Sequence, residues 1–218
     1  MTCCTIILLA LWVGSFCNAL AYYICRSESI RGYYQEKIFQ NYLLVEFASI
    51  ALFLWLYVAF GISEKFFFSV LVTAFLIPIF LTDLRDYIIP DSISIPGIII
   101  ILAVQIWRGA DLVNLAIAAA IGGGFFLFQY LVSKGKWIGS GDIRLGVLMG
   151  AALGFPQIVT ALGIAYIGGA VIALSLLAFG QKQMASKLPF GTFLAAATFV
   201  TMIYGQQIVA EYWRLAGF

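Results

Sequence analysis

Two acidic residues sit where an apolar chain has least use for charge. Asp83 closes a run, Phe66 to Thr82, that carries no charged residue, and Asp142 opens another immediately after Gly139-Ser140-Gly141. Neither stands in a long hydrophilic loop, so both fall just inside the boundary of an apolar phase, where an ionisable group is kept only at a cost. Two carboxyls brought within hydrogen-bond range cannot both ionise cheaply, and they share a proton. The ionised member can then take a proton from water while the protonated one polarises a peptide carbonyl. That is aspartyl hydrolysis, which needs no histidine, thiol or metal; the chain contains no histidine. Gly139 and Gly141 lack a Cβ, so another backbone can come close to the second carboxyl. Asp83 ends one helix and Asp142 begins another, so the helix dipoles predict that the shared proton rests on Asp83. The plain alternative makes each aspartate a helix-end partner of a local arginine, Arg85 or Arg144.

The elements that must position these groups are membrane helices. Of the 218 residues, 63% are hydrophobic and 10% charged, with mean hydropathy +1.04, far too little polar surface for a soluble domain of this length. Apolar runs predict about eight spans, near residues 4–24, 42–61, 66–83, 94–107, 112–133, 142–155, 157–179 and 190–212. The expected fold is an all-α integral membrane protein, a bundle of about eight transmembrane helices with the N-terminus outside. The fourth and sixth runs are short for a full crossing and require tilt, a thin bilayer or polar flanks. Residues 1–218 read as a single polytopic membrane domain, with 25–41 its longest polar connection. The first run has no preceding positive charge, while Arg26 and Arg31 follow it, which fits a retained first helix rather than a cleaved signal.

Charge sets the orientation. With the N-terminus outside, the inner loops hold nine basic residues: Arg26, Arg31, Lys37, Arg85, Lys134, Lys136, Arg144, Lys182 and Lys187. The outer loops hold three, Lys65, Arg108 and Arg214. The positive-inside bias therefore puts Asp83 and Asp142 at the cytoplasmic face. A net charge of +2 is too small to imply nucleic acid. The other acids have ordinary explanations. Glu64, Asp111 and Glu211 are expected to pair with Lys65, Arg108 and Arg214, and Asp91 to cap the fourth helix. Glu46 lies four residues into an apolar run, with an even balance between function and reach to the interface. Cys3, Cys4, Cys17 and Cys25 form no C-x-x-C pair and read as small apolar residues of buried helices.

Four separated segments resemble the bacterial type IV prepilin peptidases, membrane aspartyl proteases with a G-x-G-D motif. Gly139-Ser140-Gly141-Asp142-Ile143-Arg144-Leu145, trailed by Gly150 and Gly154, is similar to the family's G-x-G-D-x-K-L segment. Thr82-Asp83-Leu84-Arg85, continuing to Ile89-Pro90-Asp91 and Ile95-Pro96, resembles the segment with the first catalytic aspartate. Pro189-Phe190-Gly191 resembles P-F-G-P with Thr192 in place of the last proline, although a helix start would also explain the proline. Gly14-Ser15-Phe16, Asn18, Tyr23 and Arg26 resemble the opening helix.

The resemblance implies that Asp83 and Asp142 are the catalytic pair, with Gly139 and Gly141 as motif backbone. It also implies that Pro189, Phe190 and Gly191 position an extended substrate. The implied substrates are prepilins or pseudopilins cut at the inner face of the bacterial cytoplasmic membrane, with membrane lipid around the enzyme. Many relatives carry a zinc-binding cysteine domain between the first two spans; here that connection is about 17 residues with no cysteine pair. Proteolysis then needs no cofactor and no metal. N-methylation of the new N-terminus, which in the family uses S-adenosylmethionine, is kept as a second activity, with Asn18, Arg26 and Glu46 as its candidate residues. Two rivals stand beside this. A proton-coupled transporter would also place aspartates in the membrane and would use Gly122-Gly123-Gly124 and Gly168-Gly169 as helix breaks. A non-catalytic pilus assembly factor would leave the aspartates without chemistry.

Overall fold

Within an apolar phase the backbone must satisfy its own hydrogen bonds, and an uninterrupted apolar run does so as a helix. A computed structural model describes residues 2–25, 38–179 and 188–215. Among these, eight helices follow one another: α1 (Thr2–Cys25), α2 (Ile38–Phe60), α3 (Glu64–Asp86), α4 (Asp91–Trp107), α5 (Leu112–Ser133), α6 (Ser140–Leu153), α7 (Gln157–Ala178) and α8 (Phe190–Leu215). Each coincides with an expected span to within a few residues. α3, α5, α7 and α8 are long and apolar enough to cross a membrane. The described apolar parts of α1, α2 and α4 are shorter, Cys4–Cys17, Leu44–Phe60 and Asp91–Trp107. α2 begins at Ile38, inside the connection expected over 25–41; residues 26–37 of that connection lie outside the described residues.

α6 is the centre of the bundle. Its 14 residues rise about 21 Å, short of the roughly 30 Å hydrocarbon thickness. Leu145, Leu148, Met149 and Ala151 are fully buried against α4, α5 and α8. The contact with α5 is backbone on backbone. A Cβ added at Gly122 would lie 2.1 Å from the Gly146 carbonyl oxygen, and one at Gly150 would lie 2.4 Å from that of Ala118. Small residues at both positions are what allow such an approach. α5 and α7 run unbroken through Gly122-Gly123-Gly124 and Gly168-Gly169, so these glycines do not make the helix breaks a transporter would use.

The two ends of the bundle are tied differently. At one end Arg108 pairs with Glu64 at 2.7 Å, and the Asn114 amide bridges the Phe155 backbone with bonds of 3.0 and 2.9 Å. At the other end Arg144 on α6 pairs with Asp91 on α4 at 2.5 Å. Three local expectations change. Asp111 caps α5 by accepting the Val113 N–H at 2.9 Å rather than pairing with Arg108, because its short side chain folds back on its own helix start. Asp91 is the first helical residue after Pro90, so its carboxylate is free to reach Arg144 instead of capping. Glu64 pairs with Arg108 rather than Lys65, while Glu211 pairs with Arg214 as expected. Of the cysteines, Cys17 is buried and donates to the Ala74 carbonyl, whereas Cys4 is exposed. An apolar groove of about 560 Å³ runs between α2, α3 and α8, lined by Leu52, Trp55, Thr73, Phe80, Ala196 and Phe199 among others.

Candidate active site

Asp83 lies in the last turn of α3, three residues before the helix ends at a left-handed Tyr87 (φ 58). Its carboxylate takes the Thr192 N–H at 2.7 Å, across 109 residues of chain, with the Gly191 N–H beside it. Gly191 is the contact that makes this reach work. A Cβ there would lie 2.9 Å from the Asp83 carboxyl carbon and 3.0 Å from its Oδ2. Asp142 is the third residue of α6, and its Oδ2 accepts the Gly139 N–H at 3.0 Å, closing the helix start as a capping box does. Gly191, against the Asp83 carboxyl, and Gly141, next to Asp142 in the chain, both lie beside Ile89, which brings the two aspartates into one neighbourhood. Asp83 and Asp142 are only 5% and 8% exposed, so both carboxyls are nearly closed off from solvent in the free chain.

The arginine alternative fails in this geometry. Arg144 reaches Asp91 instead of Asp142, and the Asp83 carboxylate is held by backbone N–H groups of α8. The dipole argument gains a second helix. Asp83 ends α3 but also accepts from the first turn of α8, so the N-terminal end of α8 acts on it against the C-terminal end of its own helix. Between the two helix starts sits Ile89, from the short connection of α3 to α4. Its Cβ would be 2.8 Å from a Cβ at Gly141, and its Cδ1 2.9 Å from one at Gly191.

Residues 70–174, which include Asp83, Gly139, Gly141 and Asp142, match the model of the type IV leader peptidase family. A prepilin leader peptidase/N-methyltransferase of Burkholderia pseudomallei is 31% identical over 170 residues, covering 76% of this chain and 55% of that protein. Proteins of the same description from Bacillus subtilis and Pseudomonas putida are 26% and 27% identical. They are matched over 83% and 84% of this chain and 73% and 66% of their own lengths. The chain is similar to the type IV leader peptidase family over the segment that carries both aspartates. It spans little more than half the length of the Burkholderia relative. No solved structure matches it.

The sequence motifs divide into those the fold brings together and those it does not. Asp83, Gly139, Gly141, Asp142 and Gly191 converge around Ile89. Pro189 immediately precedes α8, its carbonyl accepting the Thr192 hydroxyl at 2.7 Å. Phe190 joins an aromatic cluster, 5.0 Å from the Tyr166 ring and 6.1 Å from Phe126. Glu46 belongs to a different place. It accepts the Ser15 hydroxyl at 2.6 Å where α1 and α2 meet, close to the contact of Gly14 with Ser49. Asn18 is part of α1, and Arg26 lies outside the described residues. Among the described residues no three Asp, Glu, Cys or His side chains converge as metal ligands would.

Two features were missed from sequence. The first is the Thr192 N–H on Asp83, visible only as the unexplained glycine before it. The second is Tyr166, whose hydroxyl exchanges hydrogen bonds with the Gln129 amide at 2.8 and 2.9 Å and whose ring lies 5.0 Å from that of Phe190. A tyrosine and a glutamine set within apolar runs were the available signal, but nothing in their spacing ties them to Phe190.

Proposed function

We propose that the protein is an aspartyl endopeptidase that removes the leader from type IV prepilins or pseudopilins at the cytoplasmic face of the bacterial inner membrane. One observation supports this: Asp83 and Asp142, 59 residues apart in sequence, lie in one neighbourhood about Ile89, each steadied by backbone N–H groups at a helix start. In the proposed reaction the pair holds one proton. The ionised carboxyl takes a proton from water as its oxygen attacks the scissile carbonyl carbon, while the other carboxyl gives its proton to the carbonyl oxygen. Collapse of the resulting diol breaks the C–N bond and delivers a proton to the departing amine, and the pair ends with one proton again. Pro189, Phe190 and Gly191 position the extended strand, since a helical peptide keeps its carbonyls in internal hydrogen bonds.

The bundle is proposed to stand as one polytopic domain, residues 1–218, of about eight spans with the N-terminus outside. The nine basic residues counted from the sequence in the expected inner loops support that orientation. The apolar groove between α2, α3 and α8 is proposed to take the substrate's hydrophobic helix. It is continuous with the reacting end, because Phe80 and Leu81 line it and Asp83 follows within a turn. Methyl transfer from S-adenosylmethionine, at Glu46 with Asn18 and Arg26, is a separate proposal, supported by the relatives' shared description. Mass spectrometry of the mature N-terminus decides it.

The peptidase assignment is tested by co-expressing a prepilin with wild type, Asp83→Asn and Asp142→Asn. The amides keep size and hydrogen bonding but cannot exchange the proton. Leader removal is expected only with wild type; removal by both variants eliminates the peptidase.

A further inference from the structure

The connection Tyr87–Pro90 does more than join two helices. Tyr87 and Ile88 are exposed, yet Ile89, which follows them, is buried, its side chain lying toward Gly141 and Gly191. Its Cβ and carbonyl oxygen stand where a side chain at Gly141 would go, and its Cδ1 where one at Gly191 would go. Gly141 precedes Asp142 in the chain and Gly191 lies against the Asp83 carboxyl, so one aliphatic side chain stands between the backbone segments that carry or hold the two aspartates. Only glycine leaves room for it at either position. A methyl group at either glycine would meet Ile89 at under 3 Å, well inside ordinary carbon contact. The strap is also held from its far side, since Asp91, two residues on, is paired with Arg144 of α6. A peptide whose carbonyl is to be reached by both carboxyls, within about 3 Å, must pass this side chain.

We propose that Ile89 is a specificity-determining residue, its side chain setting how large a substrate residue can stand next to the scissile bond. The inference rests on the peptidase assignment and adds to it the feature that sizes the cleft. Neither aspartate could do this, since both are held by backbone N–H groups at helix starts and cannot yield without losing them. Ile89 sits on a four-residue non-helical strap and is free to be trimmed. Isoleucine to alanine removes three carbons from the gap, and discrimination by one methylene in an apolar pocket is worth roughly 10- to 200-fold.

The experiment uses the full chain, purified in detergent, and prepilins carrying Ala, Val, Leu or Phe at each of the two positions flanking the cut. The quantity read is the ratio of kcat/KM for a large residue to that for a small one, at each position. Ile89→Ala is expected to raise that ratio at least about tenfold at one of the two positions, and Ile89→Val to raise it less. Ile88→Ala, on the same strap but with an exposed side chain, should leave the ratio at the wild-type value. An unchanged ratio in Ile89→Val and Ile89→Ala, with all substrates slowed alike, overturns the inference and leaves the peptidase standing. An equal shift in Ile88→Ala also overturns it, since loosening of the strap would then be the cause. Failure of the wild type to cut any prepilin removes the peptidase assignment and this inference with it.

Discussion

Replacing Gly191 by alanine tests how tightly the reacting groups are held. The added Cβ would stand 2.9 Å from the Asp83 carboxyl carbon, 3.0 Å from its Oδ2 and 2.9 Å from Ile89 Cδ1. Ordinary carbon contacts are about 3.5–4.0 Å, so something must give by about 0.5–1 Å. The strap carrying Ile89 can yield, but the carboxyl can do so only by lengthening its 2.7 Å bond to the Thr192 N–H. A misplacement of 1 Å costs roughly 100-fold in rate, so kcat should fall by about that factor with KM little changed. Overpacking costs about 1–3 kcal/mol, so the variant should still fold and melt cooperatively. Gly163→Ala is the control, since nothing lies within 4 Å of its added methyl. It should keep full activity and gain about 0.5–1 kcal/mol of stability from the helix. The assay is leader removal by purified protein with kcat and KM determined separately, beside a thermal melt. A Gly191→Ala enzyme with near wild-type kcat would refute the claim that this close approach fixes Asp83.

Other perturbations separate packing from chemistry. Gly122→Ala drives a methyl into the Gly146 carbonyl at 2.1 Å, where only backbone can move. Loss of the α5–α6 contact should appear as a lowered melting temperature before any change in the activity of the folded fraction. Arg144→Gln breaks the pair with Asp91, whose side chains are 30% and 56% exposed. Double-mutant coupling with Asp91→Asn should therefore be no more than about 1 kcal/mol. Ala196→Trp fills the apolar groove from an exposed position. It should raise KM for a prepilin with its hydrophobic helix while leaving a short soluble peptide cut at the wild-type rate.

Much of the framework could be read from the chain because hydrophobic runs in a membrane protein are long and their ends are punctuated. Asp111 and Lys134 bound α5 where the apolar run 112–133 stops, and Gly139 opens α6. The two aspartates were legible for the same reason, as charges with no hydrophilic loop to explain them. What spacing could not supply was register between distant helices. The Thr192 N–H reaches Asp83 only because α8 begins where α3 ends, and no local pattern encodes that. The dipole argument for the proton's position treated each helix alone, and so left out the start of α8 beside Asp83. Arg144 illustrates it again: its nearest acid in sequence is Asp142, two residues away, but a helix places residues two apart on different sides. It pairs instead with Asp91, on α4.

The central claim is that Asp83 and Asp142 act as one catalytic unit. It is tested most directly by measuring kcat/KM for wild type, Asp83→Asn, Asp142→Asn and the double variant on one purified prepilin. Groups that share a single proton should lose their function together, so each single variant should fall to the same floor and the double should fall no further. Losses that multiply in the double variant, or near-normal cleavage in either single one, would contradict it.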